Sequence, residues 1–453
     1  MQTHDEFSAQ AIDQLQELIK TAKKAGADEA DALLGKAHSV SHQLRMGHSE
    51  GVERSEDSLL GLRVIVGKHQ ALVSSNDLSK QSFDGLVERA VAMAKQVPED
   101  PYCGLAHQDQ LASNMIAANL DAEDPVEPSA DLLIERAKQA EETALSHDGI
   151  TNSEGASASW SLSRIALAGS NGFLGTRSAS NHSLFANVIA GSGLEMESDY
   201  DYSSAVYGED LTPANIIGDH AASRALSRLS PKRPPTKKVP IIFDKRVSAS
   251  LLSSLAGAIN GQSIARKTSF LLDALGTQIF DSAITISDDP HRKRGLASKF
   301  FDGEGLATAP RNFVENGILT SWILDCRSAK QLGLQSTANA ARGASSLPRP
   351  SVGNFTLHAG TQTPESLYQH EECAFLVTHL MGMGVNGVTG DYSQGASGFW
   401  IEKGEIAYPV NEATIAGNLK TMFLALTPAN DLEFKGATNA PSVRIDGMML
   451  AAG

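Results

Sequence analysis

Three cysteines and 13 histidines are the residues of this chain best suited to hold a metal or to help attack a carbonyl. Two imidazoles share one ion when they lie about one helical turn apart, and a neighbouring carboxylate then polarises the bound water. His38 and His42 have that interval. No Glu follows His38, however, and the segment reads as a strand, on which four residues span ~13 Å, too far for one ion. His370-Glu371 imitates the start of a metal motif, with His379 as the second imidazole. Nine residues of helix span ~14 Å, so only a sharp turn would join them; His370 and Glu371 read as surface residues. Ser287-Asp288-Asp289-Pro290-His291 gathers acids and a His in the composition of a turn. Ser393 and Ser397 lie outside any GxSxG elbow. Cys326 has Arg327 beside it, a cation able to lower a thiol pKa, but it follows the apolar run Trp322-Ile323-Leu324, which favours a buried, inert thiol. Cys373 leads into Ala374-Phe375-Leu376-Val377 and reads as core. No P-loop or dinucleotide fingerprint follows a predicted strand.

The densest run of shaping residues is 380–406, LMGMGVNGVTGDYSQGASGFWIEKGEI. Seven glycines, with Asn386, Thr389, Asp391, Ser393 and Ser397, lead into Phe399-Trp400. Glycine permits positive φ and close backbone approach, while Asn, Asp and Ser hold turns through side-chain to backbone hydrogen bonds. The run reads as a shaped loop between strands, the kind of segment where binding tends to reside.

The elements that must position these residues divide an α+β chain into two parts. Of the 453 residues, 41% are hydrophobic and 20% charged, ordinary for a globular protein of two or three domains. An N-terminal α+β domain is expected over 1–233, built from helices and a curved antiparallel sheet, with a sub-boundary near 102–128. A first helix follows from Phe7, Ala11, Leu15, Leu18, Ile19 and Ala22. Short strands are expected at 30–34, 39–44, 51–54, 59–66 and 71–74, with turns at Gly35, Gly47, Gly67 and Asn76. Helices are expected at 83–94, 132–145 and 213–229. Long strands over 150–191 are joined at Ser170-Asn171-Gly172, and an acidic stretch, EMESDYDY, covers 195–202. The run 231–240, PKRPPTKKVP, reads as a stiff solvated connection, with the Pro/Lys linker proper at 234–240. A mostly β domain follows over 241–453; a strand at 239–243 opens it, and one early helix is expected at 249–264.

The formal net charge of −15 argues against a nucleic-acid surface, which needs Lys and Arg to neutralise phosphates, and against adhesion to anionic membranes. No stretch approaches the ~20 apolar residues of a membrane helix. Met1-Gln2-Thr3-His4-Asp5-Glu6 lacks the basic start and apolar core of a signal peptide. Three widely spaced cysteines make no disulfide framework, so a cytoplasmic setting is the simplest expectation.

The run 380–406, with the following Tyr408-Pro409-Val410 and Thr414-Ile415-Ala416-Gly417-Asn418-Leu419, resembles the closing motif of the TldD/PmbA metallopeptidase family, and within it the PmbA (TldE) branch. The resemblance covers most of the chain and is weakest over about 102–127. Its active members are zinc peptidases with an HExxxH helix and a later Cys ligand. Here the corresponding window, 252–257, reads Leu252, Ser253, Ser254, Leu255, Ala256, Gly257, and no Cys follows Cys373. Leu252, Ser253 and Gly257 thus occupy metal-helix positions without being zinc ligands, and neither a catalytic residue nor a metal site is expected in this chain.

The resemblance implies a subunit that supports a TldD-like partner, which carries the zinc. The implied substrates are unfolded or flexible peptides, in peptide-antibiotic precursor maturation and antitoxin turnover. A homodimer is possible in isolation. Candidate contacts to substrate or partner are Asn386, Thr389, Asp391, Tyr392, Ser393, Phe399 and Trp400; support of the fold explains the same residues equally well. Two alternatives remain at this point: an independent peptidase with an unrecognised site, and a non-enzymatic protein-binding regulator of the gyrase-modulator kind.

Overall fold

The computed structural model describes residues 4–113, 120–193, 195–382 and 384–452. The first three residues of the N-terminal reading, residues 114–119 of the irregular stretch and Met383 of the glycine-rich run lie outside the described residues.

The N-terminal part is one antiparallel sheet under four helices. Helix α1 (His4–Lys24) buries the six apolar residues of its periodic face. It shares a core with α2 (Lys80–Ala94), whose Phe83, Leu86, Val87 and Ala90 are also buried. Both cover the inward residues Leu34, Leu60 and Leu62 of β1 (Glu29–Arg45) and β2 (His48–Val66). β3 (His69–Ser75), β4 (Ile150–Gly169), β5 (Leu174–Ala190) and β6 (Glu197–Ala205) complete the order β3-β2-β1-β4-β5-β6. Over its other half lie α3 (Ala130–Leu145), capped by the Ser129 side chain, and α4 (Ala214–Ser227). They pack Leu133, Ala137, Ala140 and Ile217 around Trp160 and Leu162. The two helices approach so closely that a Cβ on Gly218 would lie 2.1 Å from the Ala140 carbonyl oxygen, so only glycine fits there.

The strands are longer than expected. The pieces at 30–34 and 39–44 form one strand of 17 residues, and those at 51–54 and 59–66 one of 19. Gly35 is no turn but pairs with Leu59 and Ile165 in mid-sheet. The ladder bonds are main-chain bonds, and they continue through residues 36–39 and 55–58, where the apolar alternation fades.

The C-terminal part begins with β7 (Lys237–Phe243), so the strand starts inside the expected 234–240 linker. Pro240 is tolerated because the ladder to the last strand is irregular there, passing from Val239↔Met448 to Ile241↔Ile445, and pairing with the other neighbour begins only at Ile241. The early helix is two helices: α5 (Lys245–Ala258), capped by Asp244, and α6 (Gly261–Ala265), capped by Asn260. A small sheet follows from β8 (Ile286–Asp288), β9 (Arg311–Glu315) and β10 (Ile318–Leu319). After it come α7 (Cys326–Leu332) and the pair β11 (Ala340–Ala341) and β12 (Arg349–Pro350). β13 (Phe355–Leu357) joins the small sheet.

The main C-terminal sheet uses β14 (Cys373–Met381), β15 (Asp391–Glu402) and β16 (Glu405–Asn418). The chain ends through α8 (Leu419–Leu424), β17 (Leu426–Pro428), β18 (Thr438–Asn439) and β19 (Val443–Ala452). Its order is β16-β15-β14-β7-β19-β17, and a further β16–β19 pairing closes five of these strands into a barrel. Closure satisfies edges that would otherwise invite association. Leu251, Leu252 and Leu255 of α5 enter the same core as Phe243, Phe375 and Ile415 of the barrel strands. The helices α7 and α8 add to the one helix expected here; both are too short for a periodic signal.

Candidate functional site

The glycine-rich run is half loop and half strand. Residues 384–390 form the loop, and β15 begins at Asp391. The loop is tied by its own side chains. Asn386 Oδ1 accepts from the backbone N–H of Val388 (3.0 Å) and Thr389 (3.2 Å). Thr389 Oγ1 donates to Asp391 Oδ2 at 2.6 Å. Asn418 Nδ2 donates to Asp391 Oδ1 (3.0 Å) and to the Thr389 carbonyl (3.1 Å). The Thr389 and Asn418 bonds hold the exposed Asp391 carboxyl below the usual range. Gly384 crosses so near that a Cβ would lie 1.4 Å from the Ser393 carbonyl oxygen.

These ties sort the sequence candidates. Asn386, Thr389, Asp391 and Ser393 are exposed on the rim. Phe399 is half-buried. Tyr392 and Trp400 point inward, each 2% exposed. The Tyr392 ring packs edge-on against Phe243, and burial pushes its hydroxyl pKa up. Trp400 lies opposite Phe375 and donates its Nε1–H to Glu402 at 2.9 Å. Neither ring offers open surface to a ligand, so the expectation that Trp400 supplies contact area is corrected: the strand alternation assigns it to the core. Beside the loop, Val388, Phe270, Phe423 and Leu424 border an open cavity of about 460 Å³.

The helix where the resemblance places a metal motif shows no zinc ligand in the window 252–257. Leu252 is core, Ser253 is exposed with its hydroxyl donating back to the Ala249 carbonyl, and Gly257 faces open space. Ser254 likewise back-bonds to Ser250. Among the described residues, no group of three or more His, Cys, Asp or Glu is placed to hold a metal ion.

The remaining candidates do not converge. His38 and His42 lie on β1; His42 meets Ser49 at 3.0 Å. Glu371 pairs with Arg444 at 2.8 Å, whereas His379 reaches Asp199 at 3.4 Å. Ser287 and Asp288 are in β8, and the turn starts at Asp289, whose carboxylate accepts from His291 N–H. Cys326 is not activated. Arg327 is turned to Asp100 (2.7 Å), while burial, with Glu304 and Asp302 nearby, pushes the thiol far up. Cys373 is half-buried and accepts from Lys237 Nζ at 3.0 Å.

Two charged clusters escaped the sequence reading. The acidic stretch is in part strand β6, and its alternation turns Glu197, Asp199 and Asp201 to one face. There Asp199 meets Arg246 (2.7 Å) and His379 (3.4 Å), while Asp201 meets His220 (2.8 Å), Arg224 (2.9 Å) and Lys435 (3.3 Å). The period-two spacing of the acids was the available signal. Burial opposes the charge of Asp199, but hydrogen bonds from His379 and Arg246 outweigh it and hold its carboxyl well below the usual range. A carboxyl lowered in the folded state contributes stability that is complete above its unfolded pKa, ~4, and lost as pH falls below that. Asp199→Asn is therefore expected to remove about 2 kcal/mol at pH 7 and to flatten stability against pH below ~4, read by denaturant unfolding across pH. The second cluster is Asp31 with Arg63 (Nη2–Oδ2) at 2.5 Å and Arg342 at 2.9 Å, all buried. Its members are remote in sequence and left no signal.

The chain matches PmbA/TldA metallopeptidase domain 1 over residues 30–94, the central domain over 123–229 and the C-terminal domain over 236–452. It belongs to the PmbA/TldD metallopeptidase family. It is 39% identical to Metalloprotease PmbA of Escherichia coli O157:H7 over 442 residues, 96% of each chain. Its fold matches a crystal structure from Bacteroides thetaiotaomicron described as a modulator of DNA gyrase, with TM-score 0.91, 27% identity and 100% of both chains covered. It also matches the fold of TldE from Thermococcus kodakarensis, with TM-score 0.86, 20% identity, and 97% of this chain and 100% of that one covered.

Proposed function

We propose that this chain is the TldE-like, supporting subunit of a TldD-type zinc metallopeptidase, and that the assembled complex cleaves unfolded or flexible peptides. The observation that carries the reading is α5. In a chain that matches the family along its length, the helix where zinc ligands belong shows Leu252, Ser253 and Gly257. In this reading the zinc and its water chemistry belong to a TldD-like partner, and this chain helps enclose and position the substrate.

An extended peptide can be held by main-chain hydrogen bonds at a strand edge, which needs no metal and tolerates many sequences. The exposed rim of Asn386, Thr389, Asp391 and Ser393 is the proposed contact, with half-buried Phe399 farther along β15. Tyr392 and Trp400 act by holding β15 in place. Precursor maturation and antitoxin turnover in the cytoplasm are the proposed settings. Without that partner, pairing with a second copy of this chain is the proposed alternative assembly.

Mixing the chain with its TldD-like partner is expected to give a one-to-one heterodimer by light scattering coupled to size exclusion. Two species that elute apart at micromolar concentration would contradict the reading.

A further inference from the structure

One cavity takes no part in the reading above. It lies where β2, β3 and the residues after α2 meet α6 and α7, and it encloses about 300 Å³. That is the small end of the range for ligand sites. Arg63, Asp100, Gln262, Arg266, Glu304 and Arg327 are among its lining residues.

The donors in it are unevenly committed. Arg63 is 3% exposed. Its three hydrogen bonds leave from Nε and Nη2 and all end on Asp31, so none uses Nη1. Arg327 is spent on Asp100, which it meets at 2.7 Å. The Arg266 side chain, at the C-terminal end of α6, is exposed and has no hydrogen bond or ion pair among the described residues. Of the two acids, Asp100 is held by Arg327 and by Gln70 (3.1 Å). Glu304 accepts from the Cys326 N–H at 2.8 Å. Burial, with Asp302 nearby, pushes the Glu304 carboxyl up, which weakens its opposition to a bound anion. In a chain of net charge −15, this is a local pocket of spare guanidinium donors.

We propose that this cavity takes the C-terminal carboxylate of a short peptide, held by Arg63 Nη1 and the Arg266 guanidinium. The proposal rests on the peptide-handling reading above. A carboxylate is favoured over a phosphate because guanidinium forks match its two coplanar oxygens, and because the Asp100 carboxylate repels a dianion more strongly than a monoanion. The small volume suits a terminal residue or two. The Gln262 amide is available for the last peptide group.

The test is calorimetric titration of the full-length chain, without partner, using N-acetyl-dialanine, its C-terminal amide and inorganic phosphate. The free acid is expected to bind, and the amide about tenfold or more weakly. Arg266→Ala is expected to weaken the acid about tenfold with an unchanged unfolding midpoint, and Arg266→Lys to recover part of the loss. Equal binding of acid and amide, tighter binding of phosphate, or no binding of the acid would each overturn the proposal. No hydrolysis is read, so failure here leaves the subunit reading intact, and a failed heterodimer leaves the binding result standing.

Discussion

Asp31→Ala is expected to lower the unfolding free energy of the chain by about 3–5 kcal/mol, because it strands two buried guanidiniums without a counter-charge. Asp31 is 4% exposed and Arg63 3%, and the Arg342 side chain is fully buried. Burial works against the Asp31 charge, yet Arg342 and Arg63 outweigh it and keep its carboxyl below the usual range. Asp31 is on β1, Arg63 is on β2, and Arg342 directly follows β11, so the cluster ties the N-terminal sheet to the C-terminal part. Removing one guanidinium as well, in Asp31→Ala with Arg342→Met, is expected to recover part of the loss, since an unpaired buried charge costs more than an apolar side chain in its place. Denaturant midpoints of the three proteins read this directly. A single variant as stable as the parent would mean that water reaches the cluster and screens it.

Trp400→Ala is expected to cost about 3–5 kcal/mol of stability, the penalty for emptying a large buried site. Turnover of peptide by the assembled complex, per folded molecule, should hardly change. The argument is positional: Trp400 is inward on β15 between Phe375 on β14 and Tyr408 on β16, with its Nε1–H satisfied by Glu402. Lost turnover with unchanged unfolding would return Trp400 to the contact surface.

Much of this fold was legible in the sequence because helices α1 and α2 carry clear periodic faces. Phe7 to Ala22 is an example: each apolar residue named from spacing is buried. The strands were legible in type but not in length. β1 runs on through Lys36, Ala37 and His38, where the ladder persists but the pattern of burial lapses. The strand read at 239–243 begins at Lys237, inside the run read as a linker, and Pro240 sits at a gap in the ladder that no local signal announces. For the site, the lack of ligands at Leu252, Ser253 and Gly257 could be read directly, because zinc chemistry demands particular residue types. The division of 386–400 into exposed rim and buried strand could not, because Asn, Gly and Tyr suit a loop and a barrel strand alike. The Asp31 and Asp199 clusters depend on tertiary contacts between distant segments. Only the spacing of Glu197, Asp199 and Asp201 hinted at a shared face.

The measurement closest to the central claim is hydrolysis of an unstructured peptide by this chain alone, by its TldD-like partner alone and by the mixture, with bound zinc quantified in each. The predicted result is activity confined to the mixture, with zinc on the partner and none on this chain. Activity and stoichiometric zinc in this chain alone would contradict the account, and the Leu252 to Gly257 window would then not be where this chain's chemistry resides.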